Sequence, residues 1–282
     1  MSKWPHYNMI YSINRLDFNI AYACNLSCKG CISLSNFPRK GVESFESLKA
    51  QCETWCNIVN PKIISIFGGE PLMHPRLVDV LFLIRKHWPN TTIRLVTNGY
   101  LLKKYEPADW FKFGSFEMQI SIHRKDHEPV LNEEIKKILR CKHKWRPFRG
   151  KKNKTHRDIG FVHKHVTIYK SRFKDFVMPY NFKDNKIMPF ESDPKKAHAI
   201  CGSPDTPILY KNKLFKCAPI ANILDLDINN LYNYEGLNSK GNIQAFISNI
   251  NKPESICAMC PENKIHSVDH FNKENVHVKN FD

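Results

Sequence analysis

The sequence predicts an α/β fold, a parallel sheet with crossover helices, followed by a smaller C-terminal unit. Three observations carry this. From residue 16, stretches of period two alternate with stretches of helical period. The cysteine-rich and glycine-rich motifs fall where the strand-like stretches end, the place where parallel sheets carry their chemistry. After about residue 195 the alternation gives way to short turn-rich stretches with spaced cysteines, so the expected units are 1–195 and 196–282.

In order, LDFNIAYA places Leu16, Phe18, Ile20 and Tyr22 on one face, a strand. SFESLKAQCETWCNIV then carries Phe45, Leu48, Cys52, Cys56 and Val59 on one helical stripe, with Ser44 as N-cap. KIISIF is a short buried strand ending in Gly-Gly-Glu-Pro, and Leu77, Val80, Leu81 and Ile84 recur at helical spacing after it. TIRLV runs into Asn98-Gly99, and FEMQISI is a further strand closed by Ser121 and His123. PVLNEEIKKIL is an amphipathic helix with a Glu133–Lys137 pair at i,i+4. The pattern falters over 141–160 and resumes in FVHKHVTIY and KIMPF; PILYKNKLFKC reads as a hairpin around Lys211-Asn212, and the last dozen residues as a polar tail.

The 282 residues, 42% of them hydrophobic, suffice for a large domain and an appendage. No apolar run approaches the roughly 18 residues of a membrane span, and MSKWPHYNM lacks a secretory h-region, which predicts a cytoplasmic chain with no membrane partner. Ten cysteines in such a chain point to metal or redox chemistry rather than disulfides. The net charge of +16 favours anionic partners, with a merely solvated basic surface as the alternative.

Cys24, Cys28 and Cys31 share one loop of the form C-x3-C-x2-C. Three thiolates leave one corner of a four-iron cluster open, whereas a structural zinc site wants four ligands, commonly in two pairs or with histidines. With GGEP on the next strand, the arrangement resembles the radical S-adenosylmethionine (radical SAM) superfamily over most of residues 10–195. The resemblance implies a partial (β/α)6, TIM-like barrel and a [4Fe–4S] cluster on Cys24, Cys28 and Cys31. It implies S-adenosylmethionine on the open iron, split by one electron to a 5′-deoxyadenosyl radical that abstracts hydrogen from an organic substrate. Gly68, Gly69 and Glu70 would cradle the cofactor, with Asn98 and Ser121 as further contacts; without the cysteine loop, each of these reads as a turn or capping residue. The residue before the third cysteine is often aromatic in the superfamily, packing beside adenine. Here it is Gly30, so that packing must come from elsewhere.

Cys201, Cys217, Cys257 and Cys260 form a second set. It resembles the twitch domain, the short form of the SPASM domain, a small α+β unit with one auxiliary [4Fe–4S] cluster; zinc is the alternative for four cysteines. Cys52 and Cys56 read as core residues, and Cys141 has no assigned role.

The insertion 142–157 holds eight Lys or Arg, two His and no acid, with Trp145 and Phe148 interleaved. Lys144, Trp145, Arg146, Arg149, Lys151 and Lys152 are candidate nucleic-acid contacts through phosphates and stacked bases. Between a helix and the next strand, the insertion is expected on the face opposite the strand ends. The function expected first is tailoring or isomerisation of a nucleotide or base in nucleic acid, as in phage-type DNA hypermodification. Alternatives are an aminocyclitol- or sugar-type dehydrogenase or mutase, a peptide maturase (for which the short stretch before the first strand leaves little room), and an iron–sulfur nucleic-acid-binding module. A flavodoxin or ferredoxin reductase is the partner the resemblance implies.

Overall fold

The structure is a computed structural model, and it describes residues 10–149, 159–172, 175–183, 186–226 and 234–279. The first half runs β1 (Tyr11–Ala21), β2 (Leu26–Cys28), α1 (Phe45–Trp55), β3 (Val59–Gly68), α2 (Leu77–His87), β4 (Thr92–Thr97), β5 (Phe116–Ile122) and α3 (Glu128–Arg140). Then come β6 (Arg146–Arg149), β7 (Ile159–His163), β8 (Val166–Arg172), β9 (Asp175–Val177), β10 (Asn181–Lys183), β11 (Lys186–Met188) and α4 (Pro194–Ala199). The chain ends with β12 (Ile208–Tyr210), β13 (Lys213–Phe215), α5 (Ala218–Asp225), α6 (Ile243–Asn249), β14 (Ser267–Asp269) and β15 (Val276–Val278).

A nine-stranded sheet in the order β13-β12-β1-β3-β4-β5-β8-β7-β6 organises these elements. Its six central strands are parallel, and β13, β7 and β6 are antiparallel additions at the two edges. This is the partial, TIM-like α/β barrel fold, open between its edges. The sixth parallel strand is β12, beside β1, so the hairpin expected to open the second unit extends the main sheet instead. Its turn residues Lys211 and Asn212 both have positive φ, 46° and 61°, which is the backbone of a two-residue type I′ turn. α1 holds that turn in place: Trp55 Nε1 donates to Asn212 Oδ1 at 2.9 Å, and Asn212 N donates to Gln51 Oε1 at 3.2 Å.

Strand alternation gives the sheet two unlike faces. Leu16, Phe18, Ile20, Ile64, Ile66, Ile93, Leu95, Met118 and Ile120 are wholly buried against Leu48, Cys52, Trp55, Val80, Leu81 and Ile84 of the helices. The opposite face is polar. Strand register sets Asp17, Ser65, Arg94, Glu117 and Thr167 in one row across five strands, with Arg94 Nε paired to Glu117 at 2.7 Å.

Several expectations are corrected. The helix stripe stops at Trp55, which is fully buried; Cys56 caps the helix and Val59 already belongs to β3. Ser44 does cap α1, accepting from Ser47 N at 3.1 Å. The ion pairs within α3 are Glu133–Lys136 and Glu134–Lys137, at i,i+3, in place of Glu133–Lys137. FVHKHVTIY is two strands, β7 and β8, joined by a turn at Lys164-His165. The tail carries β15, whose Val276 is fully buried.

Candidate active site

The cysteine loop leaves the end of β1 and is tied down on both sides. On one side β15 pairs antiparallel with β2, matching Val276 to Cys28 and Val278 to Leu26. Lys279 adds its backbone N–H to Asn25 O at 2.9 Å and its ammonium to Ser35 O at 2.6 Å. On the other side Arg39, nearly buried, donates to Ser33 O at 2.7 Å, Asn222 Oδ1 at 2.5 Å, Tyr210 Oη at 2.7 Å and Asp225 Oδ2 at 2.9 Å. Gly30 has φ +79°, and a Cβ there would meet Met178 Cγ at 3.2 Å; its N–H donates to Tyr180 Oη at 3.2 Å. The place an aromatic side chain would take is thus occupied by the segment after β9.

Cys24, Cys28 and Cys31 are free thiols gathered with Leu26, Val276 and Tyr100 in one small apolar cluster. Cys24 Sγ accepts from Leu26 N at 3.4 Å and from Asn98 Nδ2 at 3.7 Å, N–H to sulfur contacts suited to a thiolate. Burial, then the charge of Cys31 and Cys24, raises Cys28 well above the ordinary thiol range. Cys24 is raised by burial and then by Glu70. Thiols in this position ionise together only when a cationic group compensates them. A cleft of about 610 Å³ opens beside Cys24, with Lys40, Met73 and Lys279 in its walls.

GGE ends β3 hard against the loop. Gly69 N donates to Ala21 O at 2.8 Å and Glu70 N to Ala23 O at 2.9 Å. A Cβ on Gly68 would lie 2.3 Å from Ala21 O, and one on Gly69 2.0 Å from Ala23 O, so both glycines serve chain-to-chain packing first. The carboxylate of Glu70, 1% exposed, accepts from Leu72 N at 3.0 Å, Thr97 Oγ1 at 2.6 Å and Asn98 N at 2.8 Å. Asn98 Nδ2 in turn donates to Asn25 Oδ1 at 2.8 Å. Glu70 and Asn98 therefore link the strand ends to the cysteine loop. Ser121 is buried at the end of β5, in register with Ser171 of β8. His123, just beyond, has its Nδ1 3.1 Å from Nδ1 of His270, a residue with no local sequence signal.

The second cysteine set converges as well. Cys201 follows α4, Cys217 precedes α5, and Cys257 and Cys260 share one 3-10 turn. All four are free, and each of Cys201, Cys217 and Cys260 is raised by burial and then by other members of the set, Cys217 to about 12. Beside Cys217, the buried Lys216 ammonium donates to Ile250 O and Lys252 O at 2.7 Å and to Glu254 Oε1 at 3.1 Å, fixing the segment that leads to Cys257.

Of the basic segment, Arg146–Arg149 form β6, which pairs antiparallel with β7, and β7 pairs antiparallel with β8; residues 150–157 lie outside the described residues. Arg149 pairs with Ile159, and Ile159 with Lys170, so Arg149 lies toward the strand ends where the cysteine loop sits. The described part of the insertion thus runs toward the strand ends and not along the opposite face alone. Trp145 is not a free stacking platform: Nε1 donates to Leu139 O at 2.9 Å, and the ring packs on Phe111 and His163. Phe148 lies over Gly160, where a Cβ would meet its ring at 2.6 Å. Lys144 and Arg146 are exposed, Arg149 is described by its strand position, and Lys151 and Lys152 lie outside the described residues.

Residues 18–148 match the radical SAM superfamily. This segment belongs to that superfamily. Curated relatives of this chain include a GTP 3′,8-cyclase of Yersinia pestis, 29% identical over 113 residues, 39% of this chain and 34% of that protein. Another, from Peptoclostridium acidaminophilum, is 32% identical over 95 residues, 33% and 29% of the two chains. The match spans about a third of the length of these relatives. Among solved structures, BtrN in complex with AdoMet and 2-DOIA aligns at 14% identity over 92% of this chain and 99% of that one, with TM-score 0.48. Streptococcus suis SuiB bound to S-adenosylmethionine aligns at 21% identity over 41% and 26%, with TM-score 0.34.

The residues present fit the superfamily's cofactors by their donor chemistry: three free, mutually coupled thiols on one loop, N–H groups directed at Cys24, and a cleft beside it large enough for a nucleoside-sized ligand. Among the described residues no helix is long and apolar enough to cross a membrane.

Proposed function

We propose that the chain is a radical SAM enzyme acting on an anionic, nucleotide-type substrate. Cys24, Cys28 and Cys31 would hold a [4Fe–4S] cluster open to S-adenosylmethionine. When bound, the pair supplies a one-electron cleavage and a 5′-deoxyadenosyl radical able to take hydrogen from a C–H bond. The observation that carries this reading is the contact between the GGE segment and the cysteine loop, Gly69 N to Ala21 O and Glu70 N to Ala23 O.

The chain's own residues orient and shield. Glu70 holds Asn98, Asn98 holds Asn25 and touches Cys24, and the Lys279 and Arg39 anchors keep the loop in one geometry. Met178 and Tyr180 cover Gly30 and exclude water there. Ser121, buried at the β5 end, is a candidate cofactor contact. Cys201, Cys217, Cys257 and Cys260 would hold an auxiliary [4Fe–4S] cluster, or zinc, in a twitch-like unit over 196–282 that shares the β12–β13 hairpin with the main sheet.

Two features support a nucleotide substrate. The curated relatives are named for an activity on GTP. Arg149 and Lys170 sit at the strand-end side of the sheet edge, where phosphates of a free nucleotide, or of a nucleotide in DNA, would meet positive charge. A cytoplasmic flavodoxin or ferredoxin is the electron donor this chemistry calls for. The test is 5′-deoxyadenosine release by the anaerobically reconstituted, dithionite-reduced protein with GTP, other nucleotides or DNA. Release stimulated by a free nucleotide supports the reading, stimulation by DNA alone moves the substrate to nucleic acid, and stimulation by neither removes the nucleotide assignment.

A further inference from the structure

His270 follows β14 and is completely buried, lying flat against Phe176 with ring centroids 3.6 Å apart and planes 8° from parallel. Its Nε2 lies 2.8 Å from Lys29 O. A carbonyl oxygen only accepts, so Nε2 carries the hydrogen and Nδ1 keeps its lone pair. That lone pair points at His123 Nδ1, 3.1 Å away, and the Sγ of Cys28 completes a trio whose ligand atoms all lie within 4.8 Å of one another. Among the described residues this is the one such grouping of His, Cys, Asp or Glu side chains.

We propose that Cys28 Sγ, His123 Nδ1 and His270 Nδ1 form a site for a single divalent ion of the Zn²⁺ type, which competes with the iron–sulfur cluster for Cys28. The competition rests on the reading of Cys28 as a cluster ligand; the ion site itself does not. One thiolate and two imidazoles are a zinc donor set, and two nitrogens each about 2.0–2.1 Å from a tetrahedral ion sit roughly 3.3 Å apart, close to the 3.1 Å seen here. The His270 Nε2–H to Lys29 carbonyl bond is the outer contact that metal-binding histidines make, and it leaves the ligating nitrogen bare.

Without an ion, the hydrogen between the two rings belongs to His123 Nδ1. Binding moves that hydrogen to His123 Nε2, releases one proton from Cys28, and leaves the fourth corner to solvent. Cys24 and Cys31 take no part. One sulfur cannot serve both groups, so the ion-loaded chain is barred from assembling the cluster.

Co²⁺ titration of the full, thiol-reduced, cluster-free chain tests this, with circular dichroism confirming that each variant is folded. The second cysteine set also takes Co²⁺, so the readout is a difference. The wild type is expected to bind one equivalent more than His270→Gln or His123→Gln, with tetrahedral d–d bands and one thiolate charge-transfer band, and Cys24→Ser is expected to keep that equivalent. Anaerobic reconstitution should show the reverse: Cys24→Ser loses the catalytic cluster's EPR signal and His270→Gln retains it. Zn²⁺ loaded beforehand should suppress that signal in the wild type and not in His270→Gln. Wild-type stoichiometry in both histidine variants, or loss of the extra equivalent in Cys24→Ser, overturns the site. A wild type that binds the extra Co²⁺ but never assembles a cluster refutes the functional reading and leaves the ion site standing.

Discussion

The carboxylate of Glu70 accepts the backbone N–H of Asn98 at 2.8 Å, locking the end of β3 to the end of β4 directly beneath the cysteine loop. Its other oxygen takes the Thr97 hydroxyl and Leu72 N. Glu70→Gln keeps one oxygen acceptor and turns an NH₂ group toward a donor. The expected loss is about 1–3 kcal/mol, the cost of a buried unsatisfied group, measured as a shift in denaturant midpoint.

The same residue gives a pH dependence. Burial lifts Glu70 from 4.5 to about 7, against the pull of its three donors. A raised folded-state pKa means that its contribution is complete below the unfolded value and is lost as pH rises through about 7. Titration of one such group changes stability by up to about 1.4 kcal/mol per pH unit. Wild-type stability should therefore fall between about pH 5 and 7 relative to Glu70→Gln, and parallel pH profiles of the two proteins would contradict the assignment.

Gly69 of GGE and Gly41 of the cysteine-loop segment separate packing from backbone conformation. Gly69→Ala drives a Cβ to 2.0 Å from Ala23 O and should cost about 3 kcal/mol or more, because two backbones must part. Gly41→Ala meets nothing within 4 Å and pays only for its φ of +81°, about 1–2 kcal/mol. Thermal unfolding of both variants, with Gly69→Ala clearly lower, checks the ordering.

Much of this was legible in the sequence because it is local. Leu16, Phe18 and Ile20 alternate within one strand, and Cys24, Cys28 and Cys31 share one loop. The β6–β7 pair was not legible: RPFR sets a proline and a phenylalanine between two cations, and such a strand is tolerated because β6 is an edge of the sheet among the described residues. Nor was β15, three residues long, whose apolar Val276 is meaningful only against Cys28. The side chains of His123 and His270 meet across 147 residues, a separation at which sequence pattern carries no information.

The tail strand should matter to cluster retention more than to the whole fold. Val276→Asp places a charge in the fully buried pocket beside Cys24 and Cys28. Iron loss to a chelator should quicken by on the order of tenfold, as expected when a local unit opens ahead of global unfolding. Equal chelation rates in variant and wild type would remove β15 from the loop's support.

The second cysteine set has a direct count. Two four-iron clusters give about eight irons per chain after reconstitution, and Cys217→Ser should leave about four, while Cys141→Ser leaves about eight. About four irons and one zinc in both the wild type and His270→Gln, which lacks the ion site at Cys28, would make the second set a zinc site.

The central claim is that Cys24, Cys28 and Cys31 hold a cluster with one iron left to S-adenosylmethionine. EPR of the reduced, anaerobic protein with and without that compound tests it most directly, best in Cys217→Ser, where the second set is broken. The account predicts a changed spectrum when S-adenosylmethionine is added; identical spectra would contradict it.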